Sequence, residues 1–323
     1  MSPKQHFKRF IPSAVYPEIL VVIGHDLVRL LHRSIYESVP YILAFWNSVD
    51  MLYRNLEHPK YRLNIAAILV AQDPQALEYI TKSIYNDQKL DLNKTFVDFG
   101  KWLFKQDQYI PVNNYDAAIT MTSHKLDDGT LDDSLNQFVA GIAYISSICN
   151  VSTHEKDMRK TGIVYDNGGF SGISTAAHEL GHLLGARHDS CDHCGCRDDL
   201  GYIMATFNSV TNNSADWSNC SLLDFHSFLE SKTSDPTCIF NIPNQAGDVI
   251  PRYLSGNMMD ANTQCQMKGA THARIDETTC QKLICVTSHN RLIINDLPAA
   301  DGTSCGIGKL CLHHQCISEN EIN

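Results

Sequence analysis

Cysteine placement constrains the possible folds of this chain more than any other feature. Residues 1–148 contain none of the 12 cysteines. Cys149, Cys191, Cys194, Cys196, Cys220 and Cys238 occupy one stretch, and Cys265, Cys280, Cys285, Cys305, Cys311 and Cys316 crowd the end. An even number in each block fits two self-contained disulfide sets made in an oxidising compartment. A cytosolic zinc module is the competing reading, because Cys191, Cys194 and Cys196 have a CxxCxC look. The last six cysteines show no repeated CxxC pairs, which counts against it. Those six allow fifteen pairings, and the residues alone choose none of them.

Four sequons, Asn93-Lys-Thr, Asn150-Val-Ser, Asn212-Asn-Ser and Asn219-Cys-Ser, also point to a secreted glycoprotein. Asn219 is the poorest of them, since a cysteine expected in a disulfide fills its middle position. Met1-Ser-Pro-Lys-Gln-His-Phe has no charged n-region leading into an apolar h-region, so the chain reads as a processed or truncated form. A net charge of −10 argues against a nucleic-acid or anionic-membrane binder, and no apolar run reaches the roughly 18 residues of a membrane span. With 43% hydrophobic residues, the chain has the material for a packed core.

Hydrophobic patterning divides the chain in two. Ile19-Leu-Val-Val-Ile23, ending at Gly24, reads as a buried strand. Ile42, Phe45, Trp46, Val49 and Leu52 make a helical stripe within 37–57, and Leu63–Val70 reads as a second strand. Leu92, Phe96, Phe99 and Leu103 make another helix, and Asp116–Thr122, Phe138–Ser146 and Thr161–Tyr165 further strands. Such alternation predicts an α/β sheet. After Cys238 the pattern changes: Asn241-Ile-Pro-Asn-Gln-Ala-Gly-Asp-Val-Ile-Pro251 reads as a linker, and the short cysteine-dense remainder needs disulfides to hold it. The expected layout is an N-terminal extension (1–14), a large domain (15–241), a linker (242–257) and a cysteine-rich domain (258–323).

The chemistry concentrates in Thr175-Ala-Ala-His178-Glu179-Leu-Gly-His182-Leu-Leu-Gly185-Ala-Arg-His188-Asp189. On a helix, His178 and His182 share a face and can grip one metal ion, while Glu179 leans toward the metal's open position. Gly185 permits the positive φ at which the helix must stop, so that the chain can bring His188 back as third ligand. Three histidines and one open position make a catalytic zinc site, whereas structural zinc is closed by four protein ligands.

HELGHLLGARHD resembles the zinc-binding consensus of the metzincin proteases, and the Asp after the third His that of the adamalysin (reprolysin) branch. The family's methionine turn has its counterpart in Gly201-Tyr-Ile-Met204-Ala. The resemblance implies a twisted, mainly parallel five-stranded sheet with a zinc-binding active-site helix, followed by a small disulfide-rich domain. It also implies that Gly141, Ile142, Ala143 and Tyr144 form an edge strand that binds extended substrate, and that Ala205, Thr206 and Phe207 wall the main pocket. Glu18, Asp116, the Cys238 carbonyl and Asn241 match the family's calcium site, and hard oxygen ligands suit calcium. Asp189 is expected to support the segment carrying His188, although an ordinary surface Asp would read much the same. Cys149–Cys238 is implied as a pair; Cys191, Cys194, Cys196 and Cys220 leave three connectivities, with one of the first three reaching Cys220. Ser221 and Asp224 are expected to form a capping box on the last helix. The tail, through Met259-Asp-Ala-Asn-Thr-Gln-Cys265 and Asp301-Gly-Thr-Ser-Cys305, resembles the cysteine-rich (disintegrin-like) segment of adamalysins with thrombospondin repeats. Short chains of this layout look like secreted arthropod salivary or venom metalloproteases, tick enzymes especially.

Together these features read as a secreted, monomeric zinc endopeptidase acting on extracellular proteins or peptides, with Glu179 as general base. With no cysteine upstream of the large domain, a thiol-switch propeptide is not expected and the enzyme should be unlatched. One rival is an anti-haemostatic binding module acting through its tail. Another is a structural zinc protein, which requires a fourth protein ligand.

Overall fold

Two apolar strands, buried on both faces, organise the large domain: β1 (Glu18–Ile23) and the central Ala117–Thr122 strand. The computed structural model describes residues 9–31, 34–85, 89–130, 138–190, 195–206, 211–243, 252–289, 291–294 and 297–321. With β2 (Asn64–Val70), β3 (Ala117–Thr122), β4 (Gly141–Ala143) and β5 (Thr161–Tyr165), β1 builds a five-stranded sheet in the order β2-β1-β3-β5-β4. All neighbours are parallel except β4, which runs antiparallel to β5 with Gly162 opposite Ala143 and Val164 opposite Gly141. This is the mainly parallel sheet that the resemblance implied.

Strand alternation sorts the apolar side chains into two cores. Ile19, Val21, Ile23, Ala117, Ile119 and Met121 face the layer of α1 (Ile35–Tyr53), while Leu20, Val22, Ala118 and Ile163 face α2 (Leu92–Lys105). Asp91 starts α2 by accepting from the Lys94 N–H at 2.9 Å, and Phe96, Phe99 and Leu103 form its buried stripe. The active-site helix α3 (Ile173–Leu183) and α4 (Asn219–Glu230) lie on the α1 side.

Three expectations need correction. The continuous strand in the 138–146 stretch is only Gly141–Ala143: Val139 makes a single bridge to Leu126 instead, and the chain turns at Ile145–Ser146, where Ser146 takes φ 56° and donates its N–H to the His182 carbonyl. The first helix ends at Tyr53 rather than residue 57. Helix α4 is capped by Ser218, whose hydroxyl accepts from the Ser221 N–H at 3.1 Å, and no Ser221–Asp224 box forms. Asp224 instead takes a two-pronged contact from the Arg187 guanidinium, an interaction that satisfies a carboxylate better than one amide.

The tail is held as its composition demands. Short strands make two three-stranded antiparallel sheets, 272–294 and 304–318, tied by Cys265–Cys285, Cys280–Cys311 and Cys305–Cys316. In the large domain Cys149–Cys238 and Cys196–Cys220 are paired, so Cys196 belongs to a disulfide and not to a zinc knuckle. Cys191, Cys194 and Phe207 lie outside the described residues. The segment leading into the tail packs on α1: Ser255 bonds to Ser48 at 2.8 Å and to the Ala44 carbonyl at 3.0 Å, and Arg252 pairs with the buried Asp50.

Candidate active site

Helix α3 puts His178 and His182 one turn apart on the same face. It ends at Leu183, and Gly185, at φ +107°, reverses the chain. A side chain at Gly185 would also collide with Phe228, since an added Cβ would lie 2.5 Å from the Phe228 Cβ. The reversal brings His188 back, with its Nε2 3.1 Å from the Nε2 of both His178 and His182. The ligand atoms of the three rings lie within 4.8 Å of one another, and among the described residues no fourth His, Cys, Asp or Glu joins them.

The far side of each helix-borne ring is anchored. His178 Nδ1 bonds to the Ile203 carbonyl and His182 Nδ1 to the Ala186 carbonyl, both at 2.8 Å. Carbonyls only accept, so both Nδ1 atoms carry the proton and both Nε2 lone pairs point inward. Burial pushes the His178 pKa down to about 3 and that of His182 down to about 4, which keeps the rings neutral. Three converging neutral imidazole lone pairs suit zinc.

Glu179 is buried, its Oε2 has no hydrogen-bond partner among the described residues, and burial lifts its pKa to about 8. Its side chain lies against β4: a Cβ added at Gly141 would sit 2.7 Å from Glu179 Cγ and Oε1 and 2.8 Å from Thr175 Cγ2. An orphaned buried carboxylate oxygen is costly in a folded protein and points to a group that the site receives from outside.

Met204 is fully buried beneath the helix, where a Cβ at Gly181 would meet its sulfur at 2.8 Å. The same turn accepts the Asp189 N–H at the Met204 carbonyl (2.9 Å) and presents the Ile203 carbonyl to His178. Asp189 is buried rather than on the surface, and its Oδ1 accepts from the Ser218 hydroxyl at 2.6 Å. Ile142 and Ala143 continue β4, Tyr144 follows it and stacks near Phe96 at 4.3 Å, Ala205 is buried, and the Thr206 N–H donates to Asp198. Across the sheet Glu18, Asp116 and Asn241 are neighbours. The Glu18 N–H donates to Asp116 at 2.9 Å, the Asn241 amide to Glu18 at 3.0 Å, and Cys238 is held by its disulfide. Burial pushes the Asp116 carboxyl up to about 7.

Sequence reasoning missed Tyr53, whose hydroxyl donates to the Ala177 carbonyl at 2.8 Å, and Trp217, which donates to the Leu52 carbonyl and packs by Gly181. Nothing local marks either one, because each reaches α3 or α1 across the fold.

A zinc site of three histidines with an adjacent buried carboxylate, at the end of a helix beneath a mixed sheet, defines a metallopeptidase. Residues 15–243 match the Reprolysin (M12B) family zinc metalloprotease, and residues 255–317 match the ADAMTS cysteine-rich domain 2. The chain belongs to the reprolysin (M12B) family of zinc metalloproteases, with zinc as its catalytic metal. Among its relatives is the silkworm (Bombyx mori) "A disintegrin and metalloproteinase with thrombospondin motifs like", 36% identical over 97% of this chain and 46% of that protein. Venom metalloproteinase 3 of Eulophus pennicornis is 32% identical over 69% of this chain and 52% of its own length. The rat "A disintegrin and metalloproteinase with thrombospondin motifs 1" is 28% identical over 98% and 31%. The chain thus spans about half the length, or less, of these relatives. No helix among the described residues is long and apolar enough to cross a membrane.

Proposed function

We propose that the chain is a secreted endopeptidase that cuts extracellular proteins or peptides, with His178, His182 and His188 holding zinc and Glu179 as general base. Zinc bound there supplies a Lewis acid and a water of lowered pKa. Glu179, next to the ligand His178 in the sequence, has a buried carboxylate oxygen with no hydrogen-bond partner among the described residues, which supports its assignment as base. It takes the proton of the attacking water and returns it to the departing amine. The observation that carries this reading is the convergence of three inward-facing Nε2 atoms on one point, on the helix that also carries the buried Glu179.

Substrate lies along the free edge of β4 and adds itself as a strand through Gly141–Tyr144, with Ala205 and Thr206 at the pocket wall. The edge position of β4 in the sheet order supports this placement. Met204, Gly185 and Asp189 support the metal ligands from below. Glu18, Asp116, the Cys238 carbonyl and Asn241 are assigned to a structural calcium site, supported by the adjacency of their side chains and by the raised Asp116 pKa, which a cation would offset. Secretion is supported by the disulfides and by the exposure of Asn93, Asn150, Asn212 and Asn219. The layout proposed is a protease domain at 15–241 and a cysteine-rich domain at 258–323 joined by 242–257.

The test is incubation with native and denatured extracellular proteins, with and without a zinc chelator, and then mapping of the cut sites. Chelator-sensitive cleavage supports the reading. Chelator-insensitive cleavage, or no cleavage by a zinc-loaded chain, overturns it.

A further inference from the structure

The loop 166–172, which launches α3, is organised around one carboxylate. Asp166 is fully buried. Its Oδ1 accepts from the Gly172 N–H at 2.9 Å and the Ser171 hydroxyl at 3.4 Å; its Oδ2 accepts from the Gly168 N–H at 3.1 Å and from the Tyr41 hydroxyl. Gly172 is the residue that precedes the active-site helix, and its own position offers no side-chain cap. Asp166 therefore satisfies the N–H of the residue that caps this helix, as the back-reaching carboxylate of a capping box does, from six residues upstream. The loop is also strained: Phe170 takes φ +63°, which a bulky residue rarely adopts, and is held there by stacking on Tyr41 at a centroid distance of 4.2 Å. A strained loop of this kind keeps its shape only when its surroundings hold it.

Part of that hold comes from the tail. The Met267 side chain lies so close to Gly168 and Gly169 that an added Cβ would meet it at 2.8 and 3.1 Å respectively, and the Gln264 carbonyl lies 3.5 Å from the Gly169 position. Leu297–Ala300 line a cleft whose other wall is Phe170, Ser171, Ile173 and Ser174.

We propose that the cysteine-rich tail is a clamp on the catalytic helix, with Met267 closing over the loop and Asp166 as the positioning residue that transmits its grip to α3. The proposal rests on the protease reading but makes a separate claim. The tail sets the register of His178, Glu179 and His182, so it acts on turnover even for substrates too small to touch it.

The experiment uses the full chain carrying Met267→Ala, with Met267→Leu as the conservative control. Two readouts are taken: hydrogen exchange at the Gly172 and Ala176 amides, and kcat and KM on a short peptide that occupies only the cleft. Loss of the clamp is expected to speed exchange at these amides about tenfold. It should also lower kcat about fivefold with KM within about twofold of the unmutated chain, and Met267→Leu should restore both. Unchanged exchange, or faster exchange with unchanged kcat, overturns the proposal. If Met267→Ala does not fold, Met267→Val, a milder truncation at the same contact, carries the same readouts. If the unmutated chain cuts no peptide, the protease reading fails, while the exchange measurement still judges the clamp.

Discussion

Replacing Gly141 by alanine tests the role proposed for the Glu179 carboxylate. The added Cβ would stand 2.7 Å from Glu179 Cγ and Oε1 and 2.8 Å from Thr175 Cγ2, whereas ordinary carbon contacts fall at about 3.5–4.0 Å. Something must yield by about 1 Å, and the softest partner is the Glu179 side chain, since β4 is tied to β5 through Gly162, Ile163 and Val164. A catalytic group displaced by about 1 Å costs on the order of 100-fold in rate, or about 2.7 kcal/mol of transition-state stabilisation. His178 and His182 are fixed through Nδ1 to carbonyls that Gly141 does not contact, so zinc content should stay at one per chain. The assay is kcat/KM on a fluorogenic peptide beside metal analysis of the same preparation. A Gly141→Ala enzyme within threefold of the parent would refute the idea that β4 needs a glycine to seat the base. So would one that has lost its zinc, because the damage would then lie in the ligands.

Other parts of the molecule give further outcomes. Glu179→Ala should lower turnover by about 10²–10⁴-fold while the protein still binds zinc, checked by single-turnover cleavage and metal analysis. The Cys149–Cys238 bridge closes a loop of sequence separation 89, so the double serine variant should lose about 4–5 kcal/mol of stability, read by thermal melting under non-reducing conditions. Asp301, in the tail, has its carboxyl pushed up to about 7 by burial, against the His313 and His314 amides that favour the anion. A raised folded-state pKa gives stability that is fully present below the unfolded value of about 3.9 and lost as pH rises through about 7. Melting temperature should therefore fall across that window, and Asp301→Asn should flatten the fall.

The sequence showed most of the candidate site because its residues are local. His178, Glu179, His182, Gly185 and His188 lie within one helix and one turn, where spacing translates directly into geometry. The sheet was legible for a similar reason: β1 and β3 are buried on both faces and read as unbroken apolar runs. The hidden parts were decided by partners distant in the chain. The 138–146 stretch had the apolar character of a long strand, yet the Ser146–His182 bond ends it early, and no residue near 146 announces that bond. Ser221 and Asp224 had the spacing of a capping box, but Arg187 is a stronger competitor for that carboxylate.

The same contrast bears on the two halves of the chain. The metal ligands need few residues, but holding them to tenths of an ångström needs the surrounding helix to be fixed at both ends. The C-terminal end of α3 is fixed by the Gly185 turn and by the bond from His182 to the Ala186 carbonyl. Its middle is fixed by Tyr53 at the Ala177 carbonyl and by Met204 and Trp217 at Gly181. Its N-terminal end has no capping side chain of its own, and there the chain relies on Asp166, Tyr41 and residues more than ninety positions downstream. A protease domain cut off before the tail would keep every zinc ligand and lose that outer contact. Its metal affinity should therefore survive better than its turnover on a short peptide, whereas a tail that only gathers substrate would leave that turnover intact.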